Sequence, residues 1–251
     1  MTSLLRFLLS GFTRGSAAAL VLLITTYSSI GYRYSNLIHP EYGMDWLLAG
    51  IWVVLSGLVI WGLQPRRDLL LLFVGLCGGA VIEWWGTNTQ LWRYFTDERP
   101  PLWILPAWPI AALSVDRLGR MVDRALPWIR KAAAAYWVVV PAFVAVMTRF
   151  LWPSIHELAS QVVVGLMLGV TLLGARPGRD LVLFVAGAGA GIFLEYWGTT
   201  RLCWTYYTGE TPPFEAVLAH GFASIAFARA VQIAEAVLRR LQGGIPISET
   251  P

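Results

Sequence analysis

Long stretches without a charged side chain constrain this chain more than any other feature of its sequence. From Trp46 to Pro65 the chain carries no charge, and at about 1.5 Å per residue such a helix spans a hydrocarbon core of about 30 Å. Only 14% of the 251 residues are charged, against about a quarter in soluble domains. The apolar residues run continuously instead of alternating, which excludes an outer-membrane barrel. The sequence therefore predicts an all-α polytopic membrane protein.

The apolar runs predict about eight transmembrane helices. Pro106 and Pro109 interrupt the fourth, where we expect kinks. The segment Met1–Thr13 is too short to span and has no small-residue cleavage motif, so we expect an interfacial helix rather than a signal peptide, and residues 241–251 form a flexible tail. The expected spans are Ser16–Gly31, Asp45–Leu63, Leu69–Gly86, Pro101–Leu113, Ala132–Met147, Leu158–Gly174, Leu181–Gly198 and Phe214–Ala230.

The basic residues predict the orientation in the membrane. With eight spans both termini share one side, which holds 14 of the 19 Lys and Arg residues and leaves 5 on the other. The positive-inside rule then places both termini in the cytoplasm, in a bacterial-type cytoplasmic membrane. The net charge of +4 is therefore mainly an orientation signal. No basic stretch is interleaved with exposed aromatics, so a nucleic-acid partner is not expected, and the oligomeric state stays open.

An internal duplication divides the chain into two halves, 1–127 and 128–251. At an offset of 112 residues, 21 of the 56 positions between Gly62 and Arg117 are identical to their counterparts. Upstream, Ala17–Arg33 pairs with Ala133–Arg149 after a short gap. Two halves with an even number of spans run in the same direction. We therefore expect two parallel four-helix repeats related by a pseudo-two-fold axis along the membrane normal.

One glutamate in each half is placed deep in an apolar span. Glu83 lies 15 residues beyond Asp68, about 22 Å along a helix, and Glu195 occupies the same depth in the second half. A carboxylate there costs several kcal/mol unless it is paired, protonated or hydrated, which makes it a functional candidate. A catalytic acid is one interpretation. The other is that each Glu accepts bonds from an indole, a Thr hydroxyl or Arg93 and Arg201, and only fastens helix ends.

Histidine 220 stands where the first half has Trp108. It lies about 10 Å inside the eighth span, near the depth of Glu195, so the two side chains predict a proton-transfer pair. A bond to a neighbouring helix is the structural alternative. The candidate catalytic residues are Glu83, Glu195 and His220.

Aromatic residues cluster in the connection after the third span of each half. An interfacial aromatic belt is the ordinary interpretation. The functional one is a π-rich wall that binds a planar or polyene ligand, or stabilises a carbocation. The candidate substrate-binding residues are Trp85, Trp92, Tyr94, Trp108, Trp197, Trp204 and Tyr206.

Several chemistries lack their motifs. The chain contains no P-loop, Rossmann glycine pattern, GxSxG elbow or HExxH pair. Its three histidines are too few for the boxes of membrane di-iron enzymes. We therefore expect no metal and no cofactor.

The repeated motif resembles a known family. Glu83-Trp-Trp-Gly, Trp92-Arg-Tyr94 and the segment from Pro101 to Trp108 look like the integral membrane carotenoid-biosynthesis family that includes carotenoid 1,2-hydratases. The resemblance covers Ile82–Leu113 and its copy, and it departs from that family in repeating the motif and in having Trp-rich connections. It implies addition of water across a terminal isoprenoid double bond, with a carboxylic acid at Glu83 or Glu195 protonating the alkene.

Three functions remain open at this point. The first is binding or modification of an apolar, isoprenoid or carotenoid-like lipid near the outer leaflet, with an intramembrane Glu as general acid. The second is a carrier for a small solute or lipid, and the third is a non-catalytic membrane assembly protein. In each case the expected partner is a membrane lipid or a lipid-soluble substrate.

Overall fold

The computed structural model describes residues 10–35 and 43–241. Most of the expected interfacial helix and nearly all of the expected tail therefore lie outside the described residues. The helices are α1 Arg14–Arg33, α2 Gly43–Ile60, α3 Pro65–Asn88, α4 Ala107–Ala125, α5 Pro127–Lys131, α6 Tyr136–Phe150, α7 Leu158–Leu172, α8 Pro177–Thr200 and α9 Phe214–Leu241, with short 3-10 turns at Leu102–Ile104 and Ala133–Ala135.

Apolar helices dominate this structure. Five of the described helical segments, Arg14–Arg33, Pro65–Asn88, Ala133–Phe150, Pro177–Thr200 and Phe214–Leu241, are long and apolar enough to cross a bilayer. Two shorter apolar helices, Asp45–Ile60 and Leu158–Leu172, accompany them. The chain is therefore all-α in its main elements and has the helices of a membrane protein.

The fourth expected span differs from the structure. Instead of a helix over Pro101–Leu113, the chain makes a 3-10 turn and then forms α4, which continues to Ala125. Pro106 caps this helix and Pro109 lies in its first turn, so the two prolines begin the helix instead of kinking it. Proline is tolerated there because the first N–H groups have no intrahelical partner.

Two buried ion pairs explain why α4 and α9 continue through charged residues. Arg117 donates to Asp68 at 2.7 Å, and Arg229 donates to Asp180 at 2.7 Å. Arg117 is completely buried, although it lies between the expected fourth and fifth spans, on the side counted as cytoplasmic. Both pairs obey the offset of 112 residues. Each aspartate also accepts a hydrogen bond from the backbone N–H four residues before it. The ion pairs fasten α4 to the start of α3, and α9 to the start of α8.

A two-stranded antiparallel sheet joins the halves. The strands β1 Trp92–Tyr94 and β2 Trp204–Tyr206 pair with Trp92 opposite Tyr206, Arg93 opposite Thr205 and Tyr94 opposite Trp204. The apolar pattern did not predict these strands, because three residues are too few to show an alternation of period two. We call the end of the bundle that carries this sheet the strand end, and the opposite one the arginine-rich end.

Candidate functional site

Glu83 is held by three hydrogen-bond donors. Its Oε2 accepts the indole N–H of Trp92 at 3.1 Å and the hydroxyl of Tyr94 at 2.7 Å, while Oε1 accepts the indole N–H of Trp108 at 2.9 Å. The side chain is almost fully buried. An indole N–H can only donate, and the three donors divide between the two oxygens of Glu83, so both oxygens act as acceptors.

Glu195 has the same arrangement with one substitution. Trp204 donates to Oε2 at 3.0 Å and the Tyr206 hydroxyl lies 3.0 Å from both oxygens. His220 Nε2 stands 2.9 Å from Oε1, at the position that Trp108 occupies in the first half. Imidazole either donates or accepts through this nitrogen, whereas the indole at the same position in the first cluster only donates.

Glycines allow the aromatic side chains to reach the carboxylates. A Cβ at Gly86 would collide with the ring of Trp92, and a Cβ at Gly198 would collide with that of Trp204. The strand residue can fold back onto the end of its helix only because these positions lack a side chain. Gly79 makes the same room for Trp108.

The two clusters meet through a ring stack. The indole of Trp108 lies nearly parallel to the imidazole of His220, with an interplanar angle of 14° and 6.1 Å between centroids. Because Trp108 binds Glu83 and His220 binds Glu195, the sequence of contacts runs from one carboxylate to the other. The structure thus gathers all three candidate catalytic residues in one place.

A cavity of about 400 Å³ opens beside these side chains. Aliphatic and aromatic residues form most of its wall, and its carboxylates and imidazole are Glu83, Glu195 and His220 among the described residues. The side chain of His220 is 21% exposed, against 6% for Glu195. Its Nδ1 has no hydrogen-bond partner in the described part of the chain, which makes His220 the more accessible member of the pair.

All ten residues proposed from the sequence border this cavity, including Trp85 and Trp197. The four strand residues that donate to the glutamates turn their polar atoms inward, away from the side that an interfacial aromatic belt would use. Burial, and then the carboxylate of Glu83, raise the pKa of Tyr94 well above its usual range. Burial, and then Glu195, do the same for the pKa of Tyr206, so both phenols stay protonated as donors.

The other expected partners of the glutamates bind elsewhere. Thr87 and Thr199 donate to the backbone carbonyls of Glu83 and Glu195 rather than to the carboxylates. Arg201 pairs with Asp45 at 2.9 Å. The purely structural interpretation of the glutamates was therefore correct about the indoles and wrong about Arg201 and the threonines.

Sequence reasoning missed the side walls of the cavity. Tyr27, Trp52, Phe143 and Met147 border it, but they lie on helices outside the repeated motif. Trp103 also borders it, and it packs edge-on against Tyr94 at 5.3 Å. Nothing in the local pattern distinguishes these residues from ordinary lipid-facing or core residues.

No family model matches the chain, and no curated protein or solved structure matches it. The described residues contain no group of three or more side chains able to hold a metal ion.

Proposed function

We propose that this protein is an inner-membrane protein that binds and modifies an apolar isoprenoid or carotenoid-like lipid. The observation that carries the proposal is the apolar cavity of about 400 Å³ with two carboxylates and one imidazole in its wall. An apolar wall with a few convergent polar groups is typical of small-molecule sites. Ionisable groups at membrane depth are costly, and they commonly mark function.

The proposal includes eight spans in two parallel repeats about a pseudo-two-fold axis, with both termini in the cytoplasm. The strand register supports this axis, since Trp92 opposite Tyr206 and Tyr94 opposite Trp204 are exchanged by a rotation about Arg93 and Thr205. The two glutamate clusters and the two buried ion pairs repeat at the same offset. The arginine-rich end then faces the cytoplasm, and the cavity lies toward the outer leaflet.

The size of the cavity suggests the length of the ligand. An apolar cavity of about 150 Å³ takes benzene, which has six carbons, so about 400 Å³ takes roughly sixteen carbons by the same measure. Three isoprene units would fit inside. A longer carotenoid would insert one end and leave the rest among the lipid chains.

The chemistry that we propose is proton transfer by the Glu195–His220 pair. A proton from the pair adds to one carbon of a terminal double bond, and the carbocation forms at the more substituted carbon. Water then attacks this carbon, and the extra proton returns to the pair, so that the net change is addition of one water. The electron-rich faces of the surrounding aromatic rings stabilise the cation.

Glu83 has a supporting role in this proposal. Its donors are two indoles and a phenol, none of which shuttles a proton at neutral pH.

A second candidate function is lipid binding without turnover. The repetition of the glutamate cluster favours it, because a cluster retained in both halves can serve the fold alone.

Lipid extracts test the proposal. The full chain is purified in mild detergent, and the lipids that accompany it are identified by mass spectrometry for the wild type, Glu195→Gln and His220→Gln. We expect an isoprenoid in the wild type and its unmodified precursor in both variants. Glu210→Gln, which changes an exposed carboxylate outside the cavity, serves as the control and leaves the extract unchanged.

Two outcomes would contradict this reading. An isoprenoid identical in all four samples supports binding without turnover. Bulk phospholipid alone in every sample rejects the isoprenoid ligand.

A further inference from the structure

Two equivalent helix pairs border the cavity. The first flank is α1 with α2, which contribute Tyr27, Leu48 and Trp52 to the wall, and the second flank is α6 with α7, which contribute Phe143 and Met167. The repeat makes these flanks comparable position by position. The helix α7 aligns with α2 at the offset of 112 residues, and α6 aligns with α1 at 116.

Hydrogen bonds close the second flank. The indole of Trp85 donates to Ser160 at 2.9 Å, and the hydroxyl of Tyr207 donates to the carbonyl of Phe150 at 2.7 Å. The first bond joins α7 to α3, the helix of Glu83, and the second joins the end of α6 to the residue after β2. Phe150 is only 4% exposed.

The first flank lacks the groups that make these bonds. Leu48 stands at the position of Ser160, and Phe95 at that of Tyr207, so one acceptor and one hydroxyl are missing. The indole nitrogen of Trp197, the counterpart of Trp85, is buried and has no hydrogen-bond partner among the residues described. Tyr34, the counterpart of Phe150, is only half-buried.

Aromatic packing shows the same difference. In the second flank Phe143 stacks on Phe222 of α9, with 3.8 Å between centroids. The first flank has Tyr27 at the corresponding position, and Tyr27 stacks on Trp52 of α2 at 5.1 Å. This second stack holds α1 to α2, but it does not hold the flank to the rest of the bundle.

The first flank is anchored at the arginine-rich end. Ser16 donates to the carbonyl of Ile60 at 2.6 Å, and Arg117 and Arg120 donate to the carbonyls of Trp61 and Gly62. Toward the strand end, the ion pair between Arg201 and Asp45 holds α2 to the end of α8. Between these two anchors the first flank lacks counterparts of the Trp85–Ser160 and Tyr207–Phe150 bonds. A stretch with fewer hydrogen bonds opens locally at a lower free-energy cost.

We propose that a lipid chain enters the cavity from the bilayer between the first flank and Trp197, while the second flank stays closed. The inference rests on the proposed function, which supplies the occupant: an isoprenoid chain, because the wall of this flank is apolar and continuous with the cavity. The ion pair between Arg201 and Asp45 marks the limit of this opening toward the strand end.

The repeat supplies its own matched variants. Leu48→Ser with Phe95→Tyr gives the first flank the groups of the second, and Ser160→Leu with Tyr207→Phe does the reverse. The full chain is reconstituted in phosphatidylcholine vesicles, and uptake of all-trans-retinol is followed by energy transfer from tryptophan. Since one hydrogen bond is worth about 0.5–1.5 kcal/mol net, the two bonds added by Leu48→Ser with Phe95→Tyr should slow uptake at least about fivefold.

The reverse variant should not slow uptake. Phe95→Tyr alone adds one hydroxyl, and it tests the same step in a less altered protein, with an expected slowing of at least about twofold. If the wild type binds retinol but both first-flank variants keep its rate, or if Ser160→Leu with Tyr207→Phe slows uptake, the entry face is wrong and the cavity proposal stands. If the wild type takes up no retinol, the proposed function itself fails.

Discussion

Replacement of each glutamate by glutamine should affect the two halves differently, and Glu83→Gln should be the more harmful change. The amide keeps the shape of the carboxylate but replaces one acceptor oxygen by an NH₂ donor. In the first half one oxygen binds Trp108 and the other binds Trp92 and Tyr94. Whichever way the amide turns, its NH₂ group meets an indole N–H, and neither can accept.

The second half can adapt to the same change. If the NH₂ group replaces Oε1 of Glu195, it faces Nε2 of His220, which accepts once the imidazole proton moves to Nδ1. The remaining oxygen still accepts from Trp204 and Tyr206. Every group that contacts the side chain of residue 195 therefore keeps a partner, and the proton on Nδ1 of His220 faces the cavity.

The difference should be measurable as stability. A lost hydrogen bond to a charged group, with a buried donor left unsatisfied, costs about 2 kcal/mol. For a chain of this size, each kcal/mol lowers the melting temperature by roughly 2–4 °C. We therefore expect Glu83→Gln to melt about 4–8 °C below Glu195→Gln when thermal unfolding is followed in mild detergent.

A second substitution tests the reason directly. Trp108→His gives the first cluster the adaptable partner of the second, so Glu83→Gln should cost much less in a Trp108→His background. His220→Trp should make Glu195→Gln as harmful as Glu83→Gln is in the wild type. Equal melting temperatures for the two single variants, or no rescue by Trp108→His, would refute the reasoning.

Three further predictions concern separate parts of the molecule. Arg117→Ala should lower the free energy of unfolding by about 3–5 kcal/mol, because it leaves the buried carboxylate of its ion pair without a cation. Arg130→Ala removes one partner of an exposed pair and should cost less than about 1 kcal/mol. Similar melting temperatures for the two variants would contradict this prediction. Burial raises the pKa of Cys203 to about 11, so alkylation by iodoacetamide, with the other cysteine replaced by serine, should accelerate up to that pH, and a plateau near pH 9 would be inconsistent with burial. Gly86→Ala should lower the yield of folded protein, because its Cβ collides with an indole, whereas Gly57→Ala meets no atom within 4 Å and should be neutral by the same expression assay.

The sequence predicted the apolar helices and the repeated site residues well, because both depend on local properties of the chain. The charge-free stretches indicated the apolar helices, and the repeat identified Glu83, Glu195 and the aromatic residues that border the cavity. Burial of a carboxylate in an apolar span is costly wherever the span packs, so its depth could be argued before any partner was known. Arg117 differs, because a charge beyond the end of an apolar run indicates a connection, whereas its partner Asp68 lies 49 positions away in the chain and allows it to be buried.

The partners of the glutamates were only partly predictable. The expected pair of Glu195 with His220 came from two depths and a substitution in the repeat, and the structure places the atoms 2.9 Å apart. The expected bonds from Arg201 failed because Asp45, 156 positions away in the chain, binds it instead. Competition between acceptors that are distant in sequence is invisible to spacing arguments.

The sequence by itself determined that this chain is an apolar, duplicated helical protein with a glutamate deep in an apolar span of each half. Hydropathy and repetition are properties of neighbouring residues, and they survive whatever the packing becomes. The tertiary structure decided that the two strands pair, that Trp108 stacks on His220, and that Trp85 and Tyr207 bond the second flank of the cavity while their counterparts do not bond the first. These features depend on which side chains meet across the bundle, and a difference of one hydroxyl, such as Phe95 against Tyr207, changes them without changing the pattern.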